Sequence, residues 1–231
     1  MFKGYDNRSY VANYRDLYVN NHFWAPKYRC NETIIRCLQK GNGQRVWLDL
    51  CCGQGQYFCI PDLQDDIKYV GIDASMEQLA IAYKSLQNRA DFIVADVRDQ
   101  NLPLMLGKAH LVTLMWGAYC YLGSLDEIRL MIENVARILP QGGAFYLEVI
   151  EPTTLKNFNS TNFAQQTGAS VRVNDWHGGG LHWTYEDHGG EHRLFSPTLD
   201  WVLTSMSEAG LLSDCVTTVQ TLHQVVGFKQ S

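Results

Sequence analysis

The chain is 231 residues long, 46% hydrophobic and 19% charged, with 19 Lys and Arg against 24 Asp and Glu and a formal net charge of −5. That length suits one α/β domain with a sizeable core, and the acidic balance argues against a partner drawn in by a basic field, nucleic acid or an anionic membrane. No apolar run reaches the roughly 18–20 residues that cross a bilayer, the N-terminus lacks a secretory stretch, and seven cysteines without a CxxC pair read as reduced thiols of a cytoplasmic protein.

Residues 1–43 are expected to form an N-terminal helical lid: 8–39 carry helical apolar spacing with Pro26 as a break, and GNGQ closes the region as a turn. RVWLDLCC is a short apolar run bounded by glycine, which fits a strand buried on both faces. A helix should follow the turn, interrupted by Pro61. KYVGIDAS reads as the second strand, MEQLAIAYKSLQNR as a helix, ADFIVADVRD and KAHLVTLMWGAY as the third and fourth strands. SLDEIRLMIENVARIL is an amphipathic helix with Ser124 as N-cap, and GGAFYLEVI is the fifth strand. Strands alternating with helices imply crossover units and a largely parallel sheet over 44–151. Residues 152–195 change character: ASVRVND, LHWTYEDH and EHRLFS alternate like antiparallel strands around WHGGG. Residues 196–231 read as a helix, with Ser196 as N-cap, Pro197 first and Gly210 as stop, and then a hairpin. All of 1–231 is taken as a single domain.

A glycine turn that leaves a buried strand and opens a helix aims backbone N–H groups at a ligand above the sheet edge. DLCCGQG lacks the lysine and Ser/Thr of a phosphate loop, and only Gly53 and Gly55 stand where a dinucleotide fingerprint has three glycines. Asp49 would repel a pyrophosphate. Asp73, ending the second strand, stands where an acidic residue reaches a ribose diol, and Asp96, ending the third, suits an exocyclic amine. Three carboxylates along one edge fit a cationic nucleoside better than a nucleotide.

LDLCCGQG, VGIDAS, IVADVRD, LVTLMWGAYCYL and RILPQGGAFYLEV resemble, in order and spacing, the successive motifs of class I S-adenosylmethionine-dependent methyltransferases. The similarity extends more weakly to SYVANYRDLY and HRLFSPTLDWVLTSMSEAGL, as in small-molecule members that methylate amines of sugars and amino acids. The resemblance implies a Rossmann-like, seven-stranded, mostly parallel sheet with helices on both faces, an N-terminal lid and a β insertion after strand five. It implies that Cys51, Gly53 and Gly55 make room for the methionine portion, with Asp49 near its ammonium. Asp73 would hold the ribose, Ala74, Ser75 and Met76 would border the adenine, Asp96 and Val97 would read its amine, and Met115 and Trp116 would approach the methionine end. Cys51 replaces the first glycine of the family's turn, which is acceptable if that position keeps a negative φ. Cys51 and Cys52 are read as small buried side chains rather than metal ligands.

Methyl transfer from a sulfonium needs placement, exclusion of water and aromatic faces more than covalent help. Tyr10 on the lid, Trp116 and Tyr119 are put forward as pocket walls, whereas Tyr14 and Tyr121 fit core packing better. The insertion supplies His177, His182, His188 and His192. Metal binding would require its hairpins to fold onto one point, so no metal is expected. His182 and Tyr185 are the expected catalytic pair, with an imidazole as general base, and Trp116, Tyr119, Glu151, His177 and His182 the expected acceptor contacts. Glu148 and Glu151 would bind an amine, although a solvated strand end explains them equally. The expected function is methylation of a small molecule, at nitrogen rather than oxygen, by a possible homodimer that binds neither nucleic acid nor membrane. Two rivals stay open: an enzyme that cyclises or cleaves S-adenosylmethionine itself, and a non-catalytic methyltransferase-like partner subunit.

Overall fold

The computed structural model describes residues 3–14, 34, 36–38, 45–55, 67–86, 89–219 and 222–230. The apolar runs form parallel strands β1 (Arg45–Leu50), β2 (Ile67–Asp73), β3 (Asp91–Val94), β4 (Leu111–Leu114) and β5 (Ala144–Ile150). With β9 (Leu211–Val219) and β10 (Leu222–Lys229) they make one seven-stranded sheet in the order β3-β2-β1-β4-β5-β10-β9. β10 runs antiparallel to both β5 and β9.

Burial on both faces explains why these runs are continuously apolar. Leu48, Leu50, Ile72, Val112 and Leu114 face one core cluster, and Trp47, Tyr69, Leu111 and Tyr146 face another together with Ile34 and Leu38. The helices among the described residues include α1 (Arg8–Tyr14), α2 (Met76–Leu86), α3 (Leu102–Leu106), α4 (Leu125–Ile138), α5 (Asn162–Thr167) and α6 (Leu199–Glu208). In α4, Ile128, Met131, Ile132, Val135 and Ile138 recur at helical spacing and are fully buried, each contributing about 1.5–3 kcal/mol relative to exposure. Ser124 caps this helix by accepting from the Glu127 amide at 3.3 Å, and the Glu127 carboxylate reaches back to the Gly123 amide at 2.7 Å.

The cap of α6 departs from expectation. Thr198, not Ser196, accepts from the Trp201 amide at 3.2 Å. Ser196 stays in a strand, where its hydroxyl is 2.9 Å from Trp183 Nε1 and buried. The expected breaks at Pro26 and Pro61 lie outside the described residues, as does most of the segment between α1 and β1.

Beyond β5 a 3-10 segment (Pro152–Ser160) and α5 lead into β6 (Ser170–His177), β7 (Gly180–Asp187) and β8 (Gly190–Ser196), an antiparallel sheet in the order β6-β7-β8. Val171, Leu181, Trp183, Leu194 and Phe195 from this small sheet join the same core as Leu48 and Ile72. The insertion is therefore packed onto the main body rather than tethered to it. No helix among the described residues is long and apolar enough to cross a membrane.

Candidate active site

The order of the large sheet reverses at β1, whose neighbours are β2 on one side and β4 on the other. Loops leaving the carboxyl ends of these strands must part there, and a crevice opens between them. At that point lies a cavity of about 300 Å³, within the range of small-molecule sites.

One half of the cavity is built from the turn after β1 and the ends of β2 and β3. Asp73 Oδ2 accepts from the Gly53 amide at 2.9 Å and Oδ1 from the Ser75 amide at 2.8 Å, so one carboxylate ties the two strand ends together. Gly53 and Gly55 have φ of 55° and 67°. Cys51 has φ 55° as well, contrary to the negative φ expected of it. An L-residue in this left-handed region costs about 1–2 kcal/mol, and such strain concentrates at functional sites. Burial pushes the Cys51 and Cys52 thiols well above their ordinary pKa, and neighbouring carboxylates push the same way, which keeps them unreactive.

Asp49 is 1% exposed. It accepts from Thr113 Oγ1 at 2.6 Å and from the Tyr69 hydroxyl at 2.7 Å, and Thr113 in turn accepts from Trp47 Nε1 at 2.8 Å. Burial raises the Asp49 carboxyl to about 7; the two hydrogen bonds oppose the rise, and Asp73 and Glu148 add to it. A carboxylate held this way lacks only a cation. Asp96 differs: Arg98 Nε lies 2.9 Å from Oδ1 and Arg98 Nη2 lies 2.6 Å from Oδ2. Those bonds hold its pKa below the ordinary value, so Asp96 lines the cavity as a carboxylate braced by Arg98. Gln78 lines the same half, and its buried Oε1 has no hydrogen-bond partner among the described residues.

The other half is aromatic and apolar. Trp116 follows β4 in a left-handed conformation, φ 61°, and its amide donates to Glu148 Oε2 at 2.6 Å. Glu148 also accepts from the Tyr146 hydroxyl at 2.9 Å, so it supports the Trp116 turn from below and does not line the cavity. Tyr5, Tyr10 and Tyr14 of the N-terminal segment, Tyr121 after β4, and Trp183, Tyr185 and Asp187 of β7 complete the wall with Leu155, Phe158 and Phe163. Bonds that dock the N-terminal segment here include Ser75 Oγ to Tyr5 O at 2.6 Å, Gln54 Nε2 to Val11 O at 2.7 Å, and Tyr10 Oη to Asp187 Oδ2 at 2.7 Å.

Of the residues expected from the sequence, Tyr10, Asp49, Cys51, Gly53, Asp73, Ala74, Ser75, Asp96, Val97, Met115, Trp116 and Tyr185 line the cavity. Gly55 instead sits under Leu86 and Phe92, and Met76, opening α2, is 70% exposed. Tyr119 is fully buried, its hydroxyl bonded to the backbone of Ile150 at 3.0 and 3.3 Å. Glu151 accepts from the Leu199 amide at 3.4 Å. His177 and His182 stack on each other at 3.8 Å, and His182 meets Phe195 rather than the cavity. The reason is strand parity: Trp183, Tyr185 and Asp187 share one face of β7, so His182 points to the other. Sequence reasoning missed Tyr5, Gln78, Arg98 and Asp187, and it inverted Tyr119 and Tyr121. The alternation of WTYED held the signal for Asp187. Among the described residues no group of three His, Cys, Asp or Glu side chains is placed to hold a metal.

Residues 48–143 match the family model described as "Methyltransferase domain". No curated protein matches the chain. Among solved structures, the sugar N-methyltransferase KedS8 from Streptoalloteichus sp ATCC 53650 aligns with a TM-score of 0.67 at 19% identity, over 96% of this chain and 93% of that one. CalS10 from Micromonospora echinaspora, an amino pentose methyltransferase solved with S-adenosylmethionine bound, aligns at 0.61 and 17%, over 96% and 97%. An S-adenosylmethionine-dependent methyltransferase from Clostridium acetobutylicum ATCC 824 aligns at 0.67 and 16%, over 96% and 99%. At these identities the alignments speak for the fold. The site residues fit the cofactor: Asp49 is a buried carboxylate short of a cation, and Gln78 Oε1 is short of a donor. The match over residues 48–143 and the sheet order together give this chain the fold of a methyltransferase domain.

Proposed function

We propose that the chain methylates the nitrogen of a small-molecule amine. The observation that carries this is the single cavity joining the Asp49 and Asp73 carboxylates to an aromatic wall of Tyr10, Trp116, Tyr121 and Tyr185. S-adenosylmethionine, when bound, supplies a methyl group on a sulfonium sulfur. Asp49 would face its ammonium and Asp73 its ribose, with Gln78 offering a further acceptor. Tyr10, Trp116 and Tyr121 present ring faces that favour positive charge by about 0.5–2 kcal/mol each when desolvated, which suits an amine that becomes more cationic as it reacts. Because Glu148 and Glu151 stand outside the lining, the acceptor's amine is left to the rings of the aromatic wall. Leu155, Phe158 and Leu194 would cover an apolar part of the acceptor. The names of KedS8 and CalS10, enzymes acting on a sugar nitrogen and an amino pentose, support the choice of nitrogen.

The test is incubation with labelled S-adenosylmethionine and a panel of primary and secondary amines, amino sugars included, followed by mass spectrometry. A mass gain of one methyl on an amine is expected. Methylthioadenosine formed with no acceptor present would replace this reading with cofactor cleavage, and cofactor binding without any turnover would favour a non-catalytic subunit.

A further inference from the structure

Behind the aromatic wall stands a histidine that does not itself line the cavity. His192 of β8 pairs across the strands with Tyr185, and its side chain and that of Asp187 are each 1% exposed. Its Nε2 is 3.1 Å from Asp187 Oδ1, and its Nδ1 is 2.7 Å from the Tyr121 hydroxyl. Asp187 also accepts from the Gly189 amide at 2.7 Å and from the Tyr10 hydroxyl at 2.7 Å. With donors gathered on both oxygens, Asp187 is an ionised acceptor. A carboxylate accepts only, so the neutral imidazole carries its proton on Nε2 and presents a lone pair at Nδ1. Tyr121 must then donate to His192. The Tyr5 hydroxyl, 3.1 Å away, donates to Tyr121, leaving one lone pair on a phenol oxygen that lines the cavity.

We propose that Tyr121, backed by His192 and Asp187, takes the proton that the methyl acceptor must lose. The inference rests on the methyl-transfer reading but not on the choice of nitrogen. An amine that arrives as an ammonium has no lone pair for attack. Its N–H bond breaks, the proton joins the Tyr121 oxygen, and Tyr121's own proton passes to His192 Nδ1. The result is a neutral amine and an imidazolium held between Asp187 and Tyr121. Charge is conserved, since the positive charge moves from the ammonium to the imidazole beside a carboxylate, and no oxidant or metal takes part. Burial keeps Tyr121 a phenol, so it relays a proton rather than storing a negative charge. The titratable groups facing His192 are Tyr5, Tyr121 and Tyr185, with ring centroids at 6.1, 6.0 and 5.2 Å, and Asp187. Burial raises the pKa of Tyr10, whose hydroxyl donates to Asp187, and of Tyr14, which packs on Tyr5, so neither competes as an acid. Tyr121 is the catalytic residue of the set; His192 and Asp187 position it and receive its proton.

Two measurements test this. Nitrogen-15 histidine spectra of the S-adenosylhomocysteine complex, assigned with His192→Gln, should show His192 as the Nε2–H tautomer, its Nδ1 signal moving in Tyr121→Phe; an Nδ1–H tautomer would overturn the proposal without any turnover assay. Using whichever amine of the panel reacts, His192→Gln keeps a donor to Asp187 but accepts no proton. It should lower kcat about 100-fold or more near neutral pH, leave S-adenosylhomocysteine affinity within about twofold, and recover activity as pH approaches the amine's own pKa. Variants that keep the wild-type pH profile sink the relay. A wild type inert toward amines but active on phenols sinks the amine reading alone, the relay then serving a hydroxyl. A wild type inert toward both removes the methyl-transfer reading and this inference with it.

Discussion

Asp73 and Asp49 are acids in the same rim, the first half-buried and the second buried, and they invite opposite experiments. Asp73 fixes the Gly53 and Ser75 amides, and hydrogen bonds to a charged acceptor are worth about 1.5–3 kcal/mol each. Asp73→Ala should therefore weaken S-adenosylhomocysteine binding at least about 30-fold by calorimetry, roughly 2 kcal/mol. Asp49 is a matter of pH. Its folded-state pKa is raised by burial to about 7 from 3.8, so between those values the folded chain holds a proton that the unfolded chain has released. Ligand-free stability from this group is fully present below about pH 4 and is lost as pH rises through about 7. Urea midpoints at pH 5 and pH 8 should show that decline, and Asp49→Asn should flatten it. Affinity for a ligand bearing an ammonium should move the other way, rising with pH as the carboxylate ionises. Cys51, with φ 55°, gives a third outcome: Cys51→Gly should be at least as stable as wild type in thermal melts, while Cys51→Val should melt lower, because a β-branched side chain tolerates this backbone least.

At the scale of elements, the docking of the N-terminal segment onto the β6-β7-β8 sheet depends on a missing side chain. A Cβ at Gly189 would fall 2.4 Å from Tyr10 Cε2, which forces the ring away from Asp187. Gly189→Ala should speed S-adenosylhomocysteine release in stopped-flow experiments while shifting the melting temperature little, since the core of the large sheet is untouched. The elements themselves were legible in the chain. LDLCC and GIDAS read as buried strands because both faces are covered, and SLDEIRLMIENVARIL read as a helix because its apolar residues repeat at helical spacing. The side-chain choices within the small sheet were less legible. Of the four histidines the sequence pointed to His182, but parity along β7 sends His182 to Phe195, and the fold brings His192 to Asp187 instead.

For the molecule as a whole, the cavity lies between the parallel sheet, the insertion and the N-terminal segment, so a ligand there contacts all three at once. Saturating S-adenosylhomocysteine at about 100 times its Kd should stabilise the fold by about 2.7 kcal/mol. For a chain of this size that corresponds to a rise of roughly 5–11 °C in Tm by scanning calorimetry. Asp73→Ala measured at the same concentration should forfeit most of that rise.

The sequence by itself determined the alternation of strands and helices, the family motifs and the carboxylates along the strand ends, because each depends on periodicity or on residues near one another in the chain. Only the tertiary structure decided that Arg98 braces Asp96, that Glu148 braces Trp116 from outside the cavity lining, and that Tyr121 rather than Tyr119 faces the cavity. Those outcomes depend on which atoms meet across distant segments. Tyr121, Asp187 and His192 share one hydrogen-bonded chain only because β8 folds back on β7 and the small sheet closes over the turn after β4.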